Sequence, residues 1–223
     1  MGSSRSLSAR PRMCVALSAG LAACASAAHA QIVPVSRWSQ LVHNHASTGT
    51  PSTTDTQTRT NWSSESTVVG QARETLSLNT AVISVNAQTS GWYAQGGIHH
   101  PSFSSYSSRV DAVLTFDILT LATYQLTGQL GHGFSSAMVD FRLLGAAAPF
   151  YARESPIPFG TLDYFTSGAL APGRYVLRVV AFSPPQEMGS VGQVIANLTV
   201  VPAPTAAMIL AVVTLPLTAR RRR

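Results

Sequence analysis

The feature that most restricts the fold of this chain is a period of two. Seven stretches (residues 75–78, 81–85, 110–118, 123–130, 137–144, 173–182 and 191–201) alternate apolar with polar side chains. Neighbouring residues of a strand point to opposite faces, so this alternation calls for extended chain with one dry face and one wet face. The stretches are rich in β-branched and aromatic residues, and clusters of Gly, Pro and Ser separate them. No helical period of useful length runs between the two ends of the chain. One-sided alternation suits antiparallel pairing. The expectation is an all-β fold: a single antiparallel β-sandwich or jelly-roll-like domain over residues 31–201, with roughly eight to ten strands.

Two local phrases refine this. Residues 167–175 lead into a strand, and Pro172-Gly173 suits the centre of a type II turn, with Gly173 at positive φ. Between Ser47 and Thr67, 13 of 21 residues are Ser or Thr. So polar a segment argues against a helix and leaves two main alternatives, a surface loop or linker and a set of exposed edge strands.

The net charge of +6 suggests nucleic acid, but its distribution argues otherwise. The chain has no Lys. Of its 15 Arg, three (Arg5, Arg10, Arg12) precede the first apolar run and four (Arg220, Arg221, Arg222, Arg223) end the chain. The middle holds eight Arg against nine Asp and Glu, so it lacks the cation cluster that phosphate binding needs. No nucleic-acid partner is expected. Cys14 and Cys24, the two cysteines, both fall in the N-terminal apolar run, which leaves the domain without a disulfide framework or thiolate metal site.

The ends carry an address. Residues 1–30 have a basic start, an apolar run and then Ala28-His29-Ala30, an A-x-A pattern that makes Gln31 the first mature residue of a protein cut by signal peptidase. A rival cleavage before Cys24, in Leu21-Ala22-Ala23-Cys24, would produce a lipidated N-terminus. At the other end, Pro202-Ala203-Pro204 is followed by an uncharged segment from Thr205 to Ala219 and then by the four Arg. Fifteen residues of helix span ~22 Å at 1.5 Å per residue, short of the roughly 30 Å hydrocarbon core. Arginine snorkelling relieves part of the mismatch and holds the basic end on the cytoplasmic side, leaving the domain outside. Pro-x-Pro, short apolar segment and Arg cluster together resemble the PEP-CTERM protein-sorting domain over residues 202–223, with Ala203 where that family usually has Glu. The resemblance implies an exosortase-type processing enzyme as partner, Pro202, Ala203 and Pro204 as the recognition segment, and Arg220 to Arg223 as the anchor flank. It also implies a protein anchored in the inner membrane by its C-terminus before processing, then found at the cell surface or outside, commonly beside exopolysaccharide.

Chemistry is harder to find. His43 and His45 share one face of a strand, His99 and His100 follow Gly96-Gly97, and His132 sits between glycines, but no metal-binding spacing links them. There is no G-x-S-x-G elbow, and residues 131–135, with His132 near Ser135, read as a hairpin connection. Asp111, Asp117, Asp140, Glu154 and Asp163 mostly take outward strand positions, where solvated sheet faces explain them. No catalytic residue, metal or cofactor is therefore expected. The strongest binding candidate is Trp92-Tyr93, with Phe103 and Tyr106 in the next polar stretch, because aromatic faces stack on the C–H faces of sugar rings. Three functions stay open: an exported structural or interaction protein, a carbohydrate-binding module for exopolysaccharide, and a hydrolase whose site is not visible in sequence.

Overall fold

The computed structural model describes residues 32–47, 50–95, 103–155, 159–185 and 189–203. Ala28, Ala30, Gln31, Cys24, Pro204, Arg220, Arg221, Arg222 and Arg223 lie outside them, as do His99 and His100. Among the described residues no helix is long and apolar enough to cross a membrane.

The described chain is all-β and antiparallel. Its twelve strands are β1 (Ile32–Ser47), β2 (Thr50–Arg59), β3 (Glu65–Val69), β4 (Ala72–Leu78), β5 (Val82–Gln95) and β6 (Phe103–Ile118), followed by β7 (Ala122–Gly133), β8 (Ser136–Leu143), β9 (Tyr151–Glu154), β10 (Phe159–Leu170), β11 (Gly173–Ser183) and β12 (Ser190–Pro202). They form two six-stranded layers in the orders β2-β1-β6-β11-β8-β9 and β3-β4-β5-β12-β7-β10. Four pairings nest within one another: β5 with β12, β6 with β11, β7 with β10 and β8 with β9. This is a long hairpin bent over so that successive pairs alternate between layers. The layers are also joined at one corner, because the end of β5 leaves β12 and pairs with the start of β6 through Trp92↔Tyr106 to Gln95↔Phe103. The result is nearly a barrel.

The period of two has the consequence expected of it. In β12, Val194, Ala196, Leu198 and Val200 are fully buried, and in β6 Val110, Ala112, Leu114 and Phe116 are. Phe116, Phe141 and Tyr175 stack at centroid distances near 6 Å, and Tyr124 meets Phe141 edge-on at 5.1 Å. Rings of this size supply much of the apolar area that a Cys-free domain must bury.

Several expectations need correction. Residues 50–59 are edge strand β2 and residues 65–67 open β3, so the exposed-strand alternative holds there over the loop or linker. Residues 131–135 are not a hairpin connection: β7 runs to Gly133, Phe134 takes a positive φ of 51°, and the chain crosses to β8 in the other layer. Gly173 does not adopt the positive φ of a type II turn. Instead, Ala171-Pro172 carries the chain between layers, and the Tyr175 hydroxyl donates back to the Ala171 carbonyl at 2.6 Å, a tyrosine corner. A Cβ on Gly173 would lie 3.1 Å from Leu143, so packing rather than turn geometry favours glycine. Asp111 is not solvated: Arg178 and Arg109 cover it at 2.7 and 3.0 Å. Burial works to raise its pKa, but the hydrogen bonds from both guanidiniums outweigh that and hold it below the usual value.

One interior group does not obey the dry-face rule. Arg37, on the inner face of β1, reaches across to Glu65 at 2.7 Å and Glu74 at 3.2 Å and donates to the Asn61 carbonyl at 2.9 Å. Ser39 donates to Glu74 at 2.5 Å. Arg37 and Glu74 are both buried, so the cluster ties the open edge of one layer to the other. A buried carboxylate stripped of its cation is costly, whereas an apolar pair in the same space is not. Arg37→Leu should lower unfolding free energy by about 3–5 kcal/mol, and adding Glu74→Leu should restore most of it. Urea unfolding of both variants measures this, and a near-neutral Arg37→Leu would show that the cluster does not couple the layers. Tyr175→Phe should cost about 1 kcal/mol in the same assay without changing the far-UV spectrum.

Candidate functional site

A groove of about 400 Å³ lies on the outer side of the β5 layer. It is lined by the β3–β4 turn (Gly70, Gln71), by Arg73 of β4, by Gln88 and Ser90 of β5, and by Val191 and Gln193 of β12. Register explains the grouping. Gln88 pairs with Arg73 on one side and Gln193 on the other, and Ser90 pairs with Val191. Directly opposed residues share a face, so three strands deliver one patch. Val68 and Val191, both more than half exposed, add apolar surface beside the amides.

Alternation also keeps Gln88, Ser90 and Trp92 on one side of β5. Trp92 thus continues the groove towards the corner of the sandwich, where its ring lies 6.2 Å from that of Tyr106. Tyr106 in turn lies 5.7 Å from His43. The His43 ring packs under the β3–β4 turn at Gly70, whose φ is +53° and where a Cβ would come within 2.3 Å of the imidazole. Only glycine fits that backbone and that space together. Ser90 donates to the Gln71 side chain at 3.2 Å, which ties the turn to the groove floor.

The aromatic pair read from sequence is divided by the structure. Trp92 is 38% exposed and stands with Tyr106, while Tyr93 falls on the opposite side of β5. Pro202 closes β12 opposite Ala122, and the Ala203 N–H donates to the Leu121 carbonyl at 3.1 Å, so the first two residues of the Pro-Ala-Pro segment are laid against β7. His43 and His45 share a face of β1, and their strand neighbours Ser108 and Ser104 approach their rings at 3.1 and 3.5 Å. Among the described residues no group of three or more His, Cys, Asp and Glu is arranged to hold a metal ion. Gln71, Arg73, Gln88, Ser90 and Gln193 escaped the sequence reading because each is an ordinary outward polar residue, and only cross-strand register assembles them.

Among the described residues the groove lining holds one formal charge, Arg73, and otherwise offers the amides of Gln71, Gln88 and Gln193, the hydroxyls of Thr89 and Ser90, and aliphatic surface. Amides both donate and accept, which matches the mixed hydroxyls of a neutral sugar. Comparison with known proteins adds little. No family model matches this chain, and no curated protein does. Among solved structures, a carbohydrate-binding module, TmCBM61 in complex with β-1,4-galactotriose, aligns at 7% identity over 55% of this chain and 83% of its own, with a TM-score of 0.27. The Cry4Aa toxin of Bacillus thuringiensis aligns at 8% identity over 77% of this chain and 44% of its own, with a TM-score of 0.26. A tailspike protein of bacteriophage CBA120 aligns at 13% identity over 60% and 20%, with a TM-score of 0.24. At these scores they fix neither a shared fold nor a shared ligand.

Burial lowers the His43 pKa below the ordinary 6.5; Asp55 opposes the shift and His45 adds to it. The geometry agrees, since Nδ1 accepts the N–H of Gln71 at 3.5 Å and a proton there would oppose that donor. A pKa depressed on folding means that stability is full above the unfolded value and declines as pH falls through the folded one. The urea midpoint should therefore drop between pH 7.5 and pH 5, and His43→Asn should flatten that dependence. An unchanged slope in His43→Asn would remove His43 as its source.

Proposed function

We propose that this chain is an exported surface protein of interaction type, without catalytic activity, whose β domain binds a neutral glycan through the groove that runs from Arg73 to Trp92. The observation that carries the reading is the single side of β5 on which Gln88, Ser90 and Trp92 follow one another. Polar groups that recognise ring hydroxyls there lead into an indole that can stack on a sugar's C–H face. The nested strand pairs support assigning the domain as a jelly roll, an architecture whose broad outer faces suit extended ligands. In the same reading, residues 1–30 are the export signal. The tail from Pro202 onward places the domain outside a membrane, where an exosortase-type enzyme processes it. Exopolysaccharide is then the nearest glycan.

Binding tests this directly. Titration calorimetry against neutral exopolysaccharide fragments should give saturable binding that weakens at least about tenfold in Trp92→Ala, a loss of about 1.4 kcal/mol. Gln88→Ala should weaken it as well, and Tyr93→Ala should not. Equal binding by wild type and Trp92→Ala, with both folded by circular dichroism, would leave the structural alternative standing.

A further inference from the structure

We infer that the end of the domain from which the C-terminal tail departs is a lipid-contacting base that rests on the bilayer surface, with the groove at the far pole. This inference rests on the reading of the tail as a membrane anchor.

Strand directions gather one end of the molecule. β6 finishes at Ile118, β8 at Leu143 and β12 at Pro202, while β7 starts at Ala122 and β11 at Gly173. The register sets these positions side by side: Pro202 opposite Ala122, Gly173 opposite Ile118, and Tyr175 opposite Leu143. The connections at this end carry large exposed apolar side chains: Leu119 (60% exposed) and Leu121 (57%) between β6 and β7, and Leu144 (54%) and Phe150 (44%) between β8 and β9. Val201, at the end of β12, is 52% exposed. An isolated exposed leucine needs no explanation, but several around one chain exit do.

The chain leaves beside the β6–β7 connection of this rim. The Ala203 N–H is bonded to the Leu121 carbonyl, and the uncharged stretch from Thr205 to Ala219 starts two residues later. Two residues of extended chain reach only ~7 Å, so an inserted tail cannot hold the domain clear of the headgroups. The short apolar stretch acts in the same direction, because a segment shorter than the hydrocarbon core draws its flanks towards the membrane. Leucine and phenylalanine side chains partition favourably into that interface. The neighbouring Arg174 closes its charge on Asp117 with bonds of 2.8 and 3.0 Å, so this pair carries no net charge to the membrane.

The groove lies at the other end of the same strand. Val191 at the groove and Val201 at the base are ten residues apart along β12, or roughly 33 Å at 3.3 Å per residue. A domain seated on its base therefore presents Trp92 and the groove away from the membrane.

The test uses the mature chain, residues 31–223, which contains no native cysteine, reconstituted into vesicles of phosphatidylcholine and phosphatidylglycerol. A single cysteine is placed at Leu121, Leu144 or Val191 and carries an environment-sensitive fluorophore. Probes at 121 and 144 should be quenched severalfold more by nitroxide-labelled lipid than the probe at 191, and less by aqueous iodide. If alkaline carbonate leaves the chain in the vesicles while all three probes respond alike, the base does not touch lipid and the inference fails. Shielding from iodide without lipid quenching would mean that a second copy or the tail itself covers the face, which also overturns it. Release of the chain by carbonate would instead sink the anchoring reading beneath it, and the glycan titration would be unaffected.

Discussion

The architecture depends on one strand serving two layers. β5 pairs with β4 and β12 along most of its length and then turns its last residues onto β6. The crossing occurs at Gly91, where a Cβ would lie 2.1 Å from the Pro184 carbonyl oxygen. Ser190 donates to that same carbonyl. Without a side chain at Gly91 the two layers can close on each other at this corner, and one open edge of the core disappears. The groove follows from this. Because the strand keeps its alternation through the crossing, the outward polar row on β5 runs directly into the aromatic corner formed by Trp92 and Tyr106.

Charge inside the sandwich is handled by arginine alone. A guanidinium offers five donors in a planar fork, so one Arg37 can engage Glu65, Glu74 and a backbone carbonyl together. On the outer face of the layer that carries Arg37, Arg178 grips both oxygens of Asp111, and Arg174 grips both of Asp117. These pairs cross between β6 and β11, so they act as lateral clasps on strands that no disulfide joins. The surface clasps contribute little individually. The buried one matters more, because removing either partner strands the other in the core.

What could be read in the sequence follows from which faces are apolar. β12 and β6 were visible because every inward position in their cores is aliphatic, aromatic or alanine. β1 was not, since its inner face carries Arg37, Ser39 and His43 between Ile32 and Leu41, and Pro34 interrupts it, so the period of two is there with only part of its hydrophobic half. β10 was hidden differently: Phe165 points outward and Gly168 inward, against Tyr124, which inverts the usual signal. The tyrosine of the turn phrase was in plain view, but its role was assigned to the glycine beside it. For the candidate site, the indole was legible as part of a local aromatic cluster, Trp92-Tyr93 with Phe103 and Tyr106 in the next polar stretch. Its partners were not, because Gln71 comes from a turn and Arg73, Gln88 and Gln193 from three different strands, and only long-range pairing gives their neighbours.

The two ends of β12 connect the proposed ligand to the proposed anchor. Val191 and Gln193 border the groove, and Pro202 and Ala203 mark the exit of the tail. Between them the strand is held by twelve registered pairs with β7 and ten with β5. A pull between a glycan bound at one pole and a tail fixed at the other would run along this strand, parallel to its axis. The ladder hydrogen bonds lie across that axis, so such a load shears many of them at once and does not open them one at a time. A central strand flanked on both sides is the element best placed to carry that load. Placing the groove and the exit on the same strand lets a domain without disulfides resist traction using only the backbone bonds that already define its fold.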